Sequence, residues 1–184
     1  IKSKFGLNKS FFLNVGSFGG RKNQFRILEA YSKISSQIDQ DFIFVGKPNN
    51  ETGRFLESVA KFNLSEKVRI ITDISEIDLF NLYHASYATV FPSLSEGFGI
   101  PIIESYRCNK PVLTSFGSAL EEIAGTAGLL CDPLDTNNMA NQILKLTEAE
   151  VYNSLKINIH AELERFEPKK LISDYMTLYH SMLK

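Results

Sequence analysis

The chain has 184 residues, 43% of them hydrophobic and 22% charged, with a formal net charge of -1. That is enough apolar material for one buried core, and it excludes a disordered, collagen-like or coiled-coil chain. With a sequence pI of about 6.4, the surface as a whole is not built to bind nucleic acid or anionic lipid.

Taken in order, short apolar runs alternate with amphipathic stretches. Phe11-Phe12-Leu13-Asn14-Val15, ended by Gly16, reads as a buried strand. Residues 23–36 carry Phe25, Leu28, Tyr31 and Ile34 at helical spacing. A second strand is expected at Phe42–Val45, a helix at 51–62, a third strand at Val68–Ile71 and a helix at 76–85 with Leu79, Leu82 and Tyr83 inward. A fourth strand, Ala88–Phe91, is stopped by Pro92. The next helix starts near Pro101, where proline suits the first helical position. Pro111–Thr114 and Gly128–Cys131 read as the fifth and sixth strands, and the chain from Thr136 onward as helices broken near Pro168.

This alternation predicts an α/β fold: a Rossmann-like parallel sheet of about six strands with helices on both faces, in one domain over 1–184. Ligands of such sheets bind beyond the carboxyl ends of the strands. Those ends are polar or glycine-rich here, as in Gly16–Asn23, Gly46-Lys47-Pro48, Thr72-Asp73 and Pro92–Gly99. The final helix carries two apolar stripes, Leu171, Tyr175, Leu178 and Met182 beside Ile172, Met176, Tyr179 and Leu183. That is broader than one sheet needs and is explained either by a partner surface or by dense packing.

Charge and cysteine usage add little alone. Residues 1–33 hold seven Lys or Arg against Glu29, which makes the start of the chain a candidate anion site or simply a solvated basic face. Cys108 and Cys131 show no metal or disulfide spacing and read as small buried hydrophobes in a reducing compartment. The Asn-x-Ser/Thr triplets at Asn8, Asn50 and Asn63 lack a signal peptide beside them. No apolar run is long enough to span a bilayer. The chain opens at Ile1 without methionine, which points to a piece of something longer.

Two constellations carry chemistry. After the first strand there is neither a Walker A pattern nor a G-x-G-x-x-G fingerprint, which disfavours a dehydrogenase. Glycines 16, 19 and 20 nonetheless allow close backbone approach to an anion, and the following helix offers its N-terminal amides and dipole, with Arg21 and Lys22 at the mouth. A flexible surface turn is the plain alternative. The second constellation is Glu96 in the loop after the fourth strand and Glu104 in the first turn of the next helix, with Gly97, Phe98 and Gly99 between them. Amides, a helix start and two carboxylates suit a sugar nucleotide, whose phosphates accept and whose hydroxyls donate. A helix-start glutamate favoured by the dipole is the plain reading of Glu104.

The run from Phe91 to Ser105 resembles the signature of retaining glycosyltransferases of the large family-four type, which have the two-domain GT-B fold. Seven residues separate Glu96 from Glu104, as in that family's E-x7-E motif. The resemblance extends through Asn14-Val15-Gly16, Arg21-Lys22-Asn23, Val45-Gly46, Leu79 to Tyr83, Lys110-Pro111-Val112, Glu121 to Gly128, Asp132-Pro133 and Phe166 to Tyr175. It implies the C-terminal, donor-binding half of a GT-B enzyme. Gly16, Arg21 and Lys22 would hold the donor diphosphate. Glu96, as the catalytic residue, would hold the donor sugar near its anomeric carbon together with Gly97, Phe98 and Gly99. Glu104 would accept from the ribose hydroxyls, and Asp73 and Ile74 would lie near the base. No cofactor and no metal are implied, only a donor such as a UDP- or GDP-sugar.

The resemblance further implies retention by front-face attack, with Glu96 as a covalent nucleophile the less favoured route. It implies an acceptor that is a glycan or lipid-linked, and work in surface polysaccharide biosynthesis. The enzyme is expected in the cytoplasm, at the inner face of the membrane if peripherally associated, with no nucleic acid partner. The N-terminal acceptor domain is absent from this chain and would pack on helix 171–183. Ser17 stands where many relatives carry Arg, Asn109 where Gly is usual, and Glu121 where Pro is usual. Arg21 is a candidate to compensate for Ser17. Two other readings stay open: a GT-B sugar-nucleotide epimerase, which fits the glutamate spacing poorly, and a non-catalytic nucleotide-binding or interaction module.

Overall fold

The strands are runs of aromatic and aliphatic residues short enough to cross one layer: β1 Phe11–Val15, β2 Asp41–Val45, β3 Val68–Ile71, β4 Ala88–Phe91, β5 Val112–Ser115 and β6 Gly128–Cys131. The structure is a computed structural model that describes residues 1–183, apart from the side chain of Leu171. The strands form one sheet in the order β3-β2-β1-β4-β5-β6, and every pairing is parallel. The chain winds outward from β1 to β3, then returns to lay β4 against the other side of β1. The crevice beyond the carboxyl ends of β1 and β4 is therefore the topological switch point, where open α/β sheets bind ligands.

Helices α1 Gln24–Ile34, α2 Asn50–Lys61, α3 Glu76–Ala85, α4 Ile100–Arg107, α5 Ala119–Ala124, α6 Thr136–Thr147, α7 Ala149–Glu164 and α8 Pro168–Met182 complete the order. Alternate strand residues face opposite layers. Phe12, Phe42 and Phe44 pack with Ile27, Leu28 and Tyr31 of α1, Phe55 of α2 and Met139, Ile143 and Leu146 of α6. Leu13, Ile43 and Val45 face the other way, onto Leu82 and Tyr83 of α3. Beside them Phe91 packs with Ile102 and Tyr106 of α4, Leu120 and Ile123 of α5 and Ile159 of α7. Burial on both faces is why the central strands lack polar alternation. Both cysteines are buried in these layers, as expected, and burial pushes the Cys131 thiol up to about 12.

Three local expectations need correction. Helix α5 was not foreseen, because six residues are too few to show a period. It is set by Ser118, whose hydroxyl accepts from the Leu120 amide at 3.2 Å, and by Glu121, which accepts from the Gly117 amide at 2.6 Å. The helical region from Thr136 breaks at Glu148 as well as near Pro168. Helix α4 starts one residue before Pro101, so the proline occupies the second helical position and Glu104 the second turn, not the first. On α8 and at its cap, Ile172, Tyr175, Met176, Leu178, Tyr179, Met182 and Leu183 are all exposed; the side chain of Leu171, expected in the same stripe, lies outside what the structure describes.

Candidate active site

The loop leaving β1 nests against the loop leaving β2. A Cβ on Gly46 would fall 2.2 Å from the Gly16 carbonyl oxygen, so only glycine permits the approach. Gln24, buried in the first turn of α1, folds the loop over itself: its amide donates to the carbonyls of Gly16 and Ser17, and its oxygen accepts from the Gly19 amide. Asn23, the residue capping α1, has a left-handed backbone with φ 64°. Its buried side chain donates to the carbonyl of Pro92 at 3.0 Å and of Pro133 at 2.7 Å. Asn23 therefore ties the loops after β1, β4 and β6 together. Its side chain makes no capping bond to the α1 amides.

Arg21 and Lys22 lie in a 3-10 turn, Gly20–Lys22, just before α1. Both converge on Glu96. Arg21 Nη1 lies 2.6 Å from Glu96 Oε2 and donates to the Ser95 carbonyl at 2.8 Å. Lys22 Nζ lies 2.7 Å from Glu96 Oε1 and 4.7 Å from the centre of the Phe91 ring. The Lys22 contact is an ion pair without hydrogen-bond alignment, so Oε1 is buried with no directed donor, as is Ser93 Oγ nearby in the same loop. The Glu96 side chain is only 10% exposed. Burial pushes its carboxyl up, but the two cations of Lys22 and Arg21 held against it outweigh burial and keep it below its ordinary value.

Beyond Glu96 the chain turns through Gly97 and Phe98 into Gly99, the cap of α4, whose φ is 101°. A Cβ there would also meet Leu120 at 2.5 Å, so backbone shape and packing both demand glycine. Phe98 stands half-exposed, edge-on to Phe166 with ring centres 5.7 Å apart. Glu104 accepts a hydrogen bond from the Tyr83 hydroxyl at 2.7 Å. It stands between two hollows. One, of about 750 Å³, is lined by Gly97, Phe98, Arg107, Glu122, Arg165 and Phe166; the other, of about 480 Å³, is lined by Glu76, Leu79, Phe80, Tyr83 and Arg107. A third, of about 370 Å³, holds Asp73 and Ile74 with Gly16, Ser17, Gly46 and Lys47. Leu79 borders the second and third.

The expected residues are thus brought together in three groups. Arg21, Lys22 and Glu96 touch, Gly16 shares a hollow with Asp73 and Ile74, and Gly97 and Phe98 share one with Glu104. Ser17 lines the Gly16 hollow, while Arg21 reaches over to Glu96 rather than toward it. Asn23, Gln24 and Tyr83 are functional candidates that the sequence reading gave no role. Asn23 and Tyr83 lie in segments that carry the resemblance, and Tyr83 is expected inward on its helix; Gln24 carries no signal. The Asp-x-Asp pair Asp39-Gln40-Asp41, a spacing that can hold a divalent cation against phosphates, sits at the amino end of β2, the edge opposite the site.

Residues 1–162 match the family described as glycosyl transferases group 1. The chain belongs to this family. Among relatives, the group 1 domain is 30% identical to the serotype-specific mannosyltransferase WbdA of Escherichia coli over 171 residues, which is 90% of this chain and 21% of that protein. It superposes with a TM-score of 0.82 on HepE of Anabaena in complex with UDP and glucose, at 20% identity, covering 98% of this chain and 51% of that one. It superposes with a TM-score of 0.78 on the C-terminal domain of a group 1 glycosyl transferase, LpcC, of Francisella tularensis, at 18% identity and 89% coverage of each chain. The chain therefore spans about a fifth of that mannosyltransferase and about half of HepE. The fold is that expected of one half of a GT-B enzyme. Among the described residues, no helix is long and apolar enough to cross a membrane.

Proposed function

We propose that this group 1 domain is the donor-binding half of a retaining glycosyltransferase. It would move a hexosyl group from a nucleoside-diphosphate sugar to a glycan or lipid-linked acceptor in surface polysaccharide biosynthesis, in the cytoplasm or at the inner membrane face. The observation that carries this reading is the convergence of Arg21 and Lys22 on Glu96 at the switch point, beside the glycine-rich start of α4. Two fixed cations over a loop of backbone amides form an anion site. The carboxylate that now neutralises them is the group a sugar would need once phosphate takes its place. The naming of WbdA as a mannosyltransferase supports a hexosyl donor, and the UDP and glucose named with HepE support a nucleotide sugar.

In this mechanism the diphosphate binds Arg21, Lys22 and the Gly16 loop, and Glu96 is released toward the sugar. The bond from the anomeric carbon to the phosphate oxygen breaks while the acceptor oxygen bonds the same face. The acceptor proton passes to the departing phosphate. Arg21, Lys22 and the positive end of α1 stabilise the charge that grows on the leaving group, and Glu96 stabilises the positive charge at the anomeric carbon. Glu104 accepts from the ribose hydroxyls, with Asp73 and Ile74 beside the base. The residues present supply this chemistry without a cofactor.

Calorimetric titration with UDP and GDP against uridine and guanosine tests the reading. Lys22→Ala and Arg21→Ala should each weaken the diphosphates by about tenfold or more, the loss of a charge-assisted contact of about 1.5–3 kcal/mol, and leave the nucleosides nearly unchanged. Equal losses for both ligand types would mean that the two cations shape the loop and touch no phosphate.

A further inference from the structure

The hydroxyl of Tyr83 has no role in the mechanism above, yet it makes a hydrogen bond to Glu104 Oε2 at 2.7 Å. Its ring lies in the last turn of α3, fully buried among Phe11, Leu13, Leu82 and Cys108. A ring buried in the core, with its edge at the rim of the smaller hollow, is held in place by that packing, so the hydroxyl is delivered to one place by the core and not by solvent. A phenol has a single proton to donate. Given to Oε2, it fixes the carboxylate's rotation, while Oε1 receives no protein hydrogen bond among the described residues. Burial, followed by the charge of Glu104, raises the Tyr83 phenol well above its ordinary value, so it stays a donor throughout the working pH range.

We infer that Tyr83 is a positioning residue that makes Glu104 selective for a ribose diol. This rests on the reading of Glu104 as the ribose acceptor. An unheld glutamate on a helix surface samples several rotamers and accepts equally well from water. A glutamate with one oxygen anchored presents the other at a fixed place, so a ligand diol meets an acceptor whose orientation entropy is already lost. Tyr83 thereby belongs to the donor site although it touches no donor atom, and the deep apolar packing of α3 becomes a determinant of nucleotide selectivity. Glu104 lines the hollow that contains Tyr83 and also the larger one beside Phe98, so its rotamer decides which of the two its free oxygen serves.

The test is a double-mutant cycle on the 184-residue chain, titrated with GDP and 2′,3′-dideoxy-GDP and, in parallel, with the UDP pair. Tyr83→Phe keeps the ring and its packing. It should weaken the ribonucleotide by about five- to tenfold, the scale of one hydrogen bond, and leave the dideoxy ligand unchanged. In a Glu104→Ala background the same change should have no effect, because a residue acting through a partner is silent without it. If Glu104→Ala removes ribose selectivity but Tyr83→Phe does not, the positioning role is overturned and the ribose assignment stands. If Glu104→Ala weakens both ligands equally, or neither pair binds, the ribose assignment itself falls. If Tyr83→Phe still weakens the ribonucleotide when Glu104 is alanine, Tyr83 acts by another route and the inference is wrong.

Discussion

Glu96 holds two cations at 2.6 and 2.7 Å, and those cations are the ones the proposed donor needs. The carboxylate therefore competes with diphosphate for both cations. Glu96→Gln should keep nucleoside-diphosphate affinity or raise it severalfold, while turnover by the complete enzyme falls by about 10² or more, the scale of losing one group aimed at developing charge. Parallel losses of affinity and turnover would reduce Glu96 to a strut for the loop. The same pairs set a pH dependence. With its carboxyl below the ordinary value of 4.5, Glu96 binds protons more weakly folded than unfolded, so its contribution is present above the unfolded value and lost as pH falls through the folded one. Urea midpoints from pH 7 down to pH 3 should therefore converge between the wild type and Glu96→Gln. A constant gap would show that the pairs do not stabilise the fold. Asn109, by contrast, is a departure without consequence: it adopts φ 55° after α4, the left-handed conformation that asparagine tolerates almost as readily as the usual glycine.

The loops at the switch point behave as one element because Asn23 joins them. Its side chain spans to Pro92 and Pro133, at sequence separations of 69 and 110 residues, so no local preference could have positioned those carbonyls. Asn23→Ala would leave the buried Pro92 carbonyl and the part-buried Pro133 carbonyl without their donor and impose a left-handed backbone on alanine. The expected cost is about 2–4 kcal/mol, read as a lower urea midpoint with an unchanged slope. Asn23→Gly should recover the backbone part and not the hydrogen-bond part. Diphosphate affinity should fall with both variants, since the turn that carries Arg21 and Lys22 ends at this residue. A stability loss with full affinity retained would separate the tie from the site. Helix α5 is a comparable case. Ser118 and Glu121 set its start, and Leu120 then packs against the Gly99 cap, so a helix too short to be read in advance helps shape the α4 N-terminus.

The molecule as a whole presents a crevice at the switch point and a last helix whose described apolar side chains are exposed. In a two-domain transferase the reacting atoms meet between the domains, and closure orients the acceptor and expels water. The chain alone is therefore expected to bind a nucleotide sugar and to transfer nothing, since orientation of two reactants can supply about 7–11 kcal/mol of the barrier. Joining it to an acceptor-side domain of a group 1 glycosyl transferase should allow transfer. Robust transfer by the 184-residue chain would require an acceptor site within it. The exposed Ile172, Tyr175, Met176 and Tyr179 of α8 should meanwhile make the isolated chain self-associate with concentration. Light scattering that reports a monomer at every concentration would show that the exposed α8 face is not sticky enough to drive association.

Much of this protein was legible from residue order. Strands such as Phe42–Val45 are apolar without interruption because both faces are covered, so their place in a parallel sheet follows from pattern alone. Gly97 and Gly99 lie between Glu96 and Glu104 in the sequence, and local chemistry suffices to mark that stretch as a candidate site. The pairing of Arg21 with Ser95 and Glu96 across 74 residues or more, the reach of Asn23 to Pro133 and the donation from Tyr83 to Glu104 did not follow from pattern. The first two join segments far apart in the chain and depend on the strand order that folds β4 back beside β1, and the third depends on how α3 and α4, the helices before and after β4, pack together. Periodicity reports which face of an element is buried, not which neighbour buries it. That neighbour is settled only when the sheet closes its order and packing leaves each side chain one place to go.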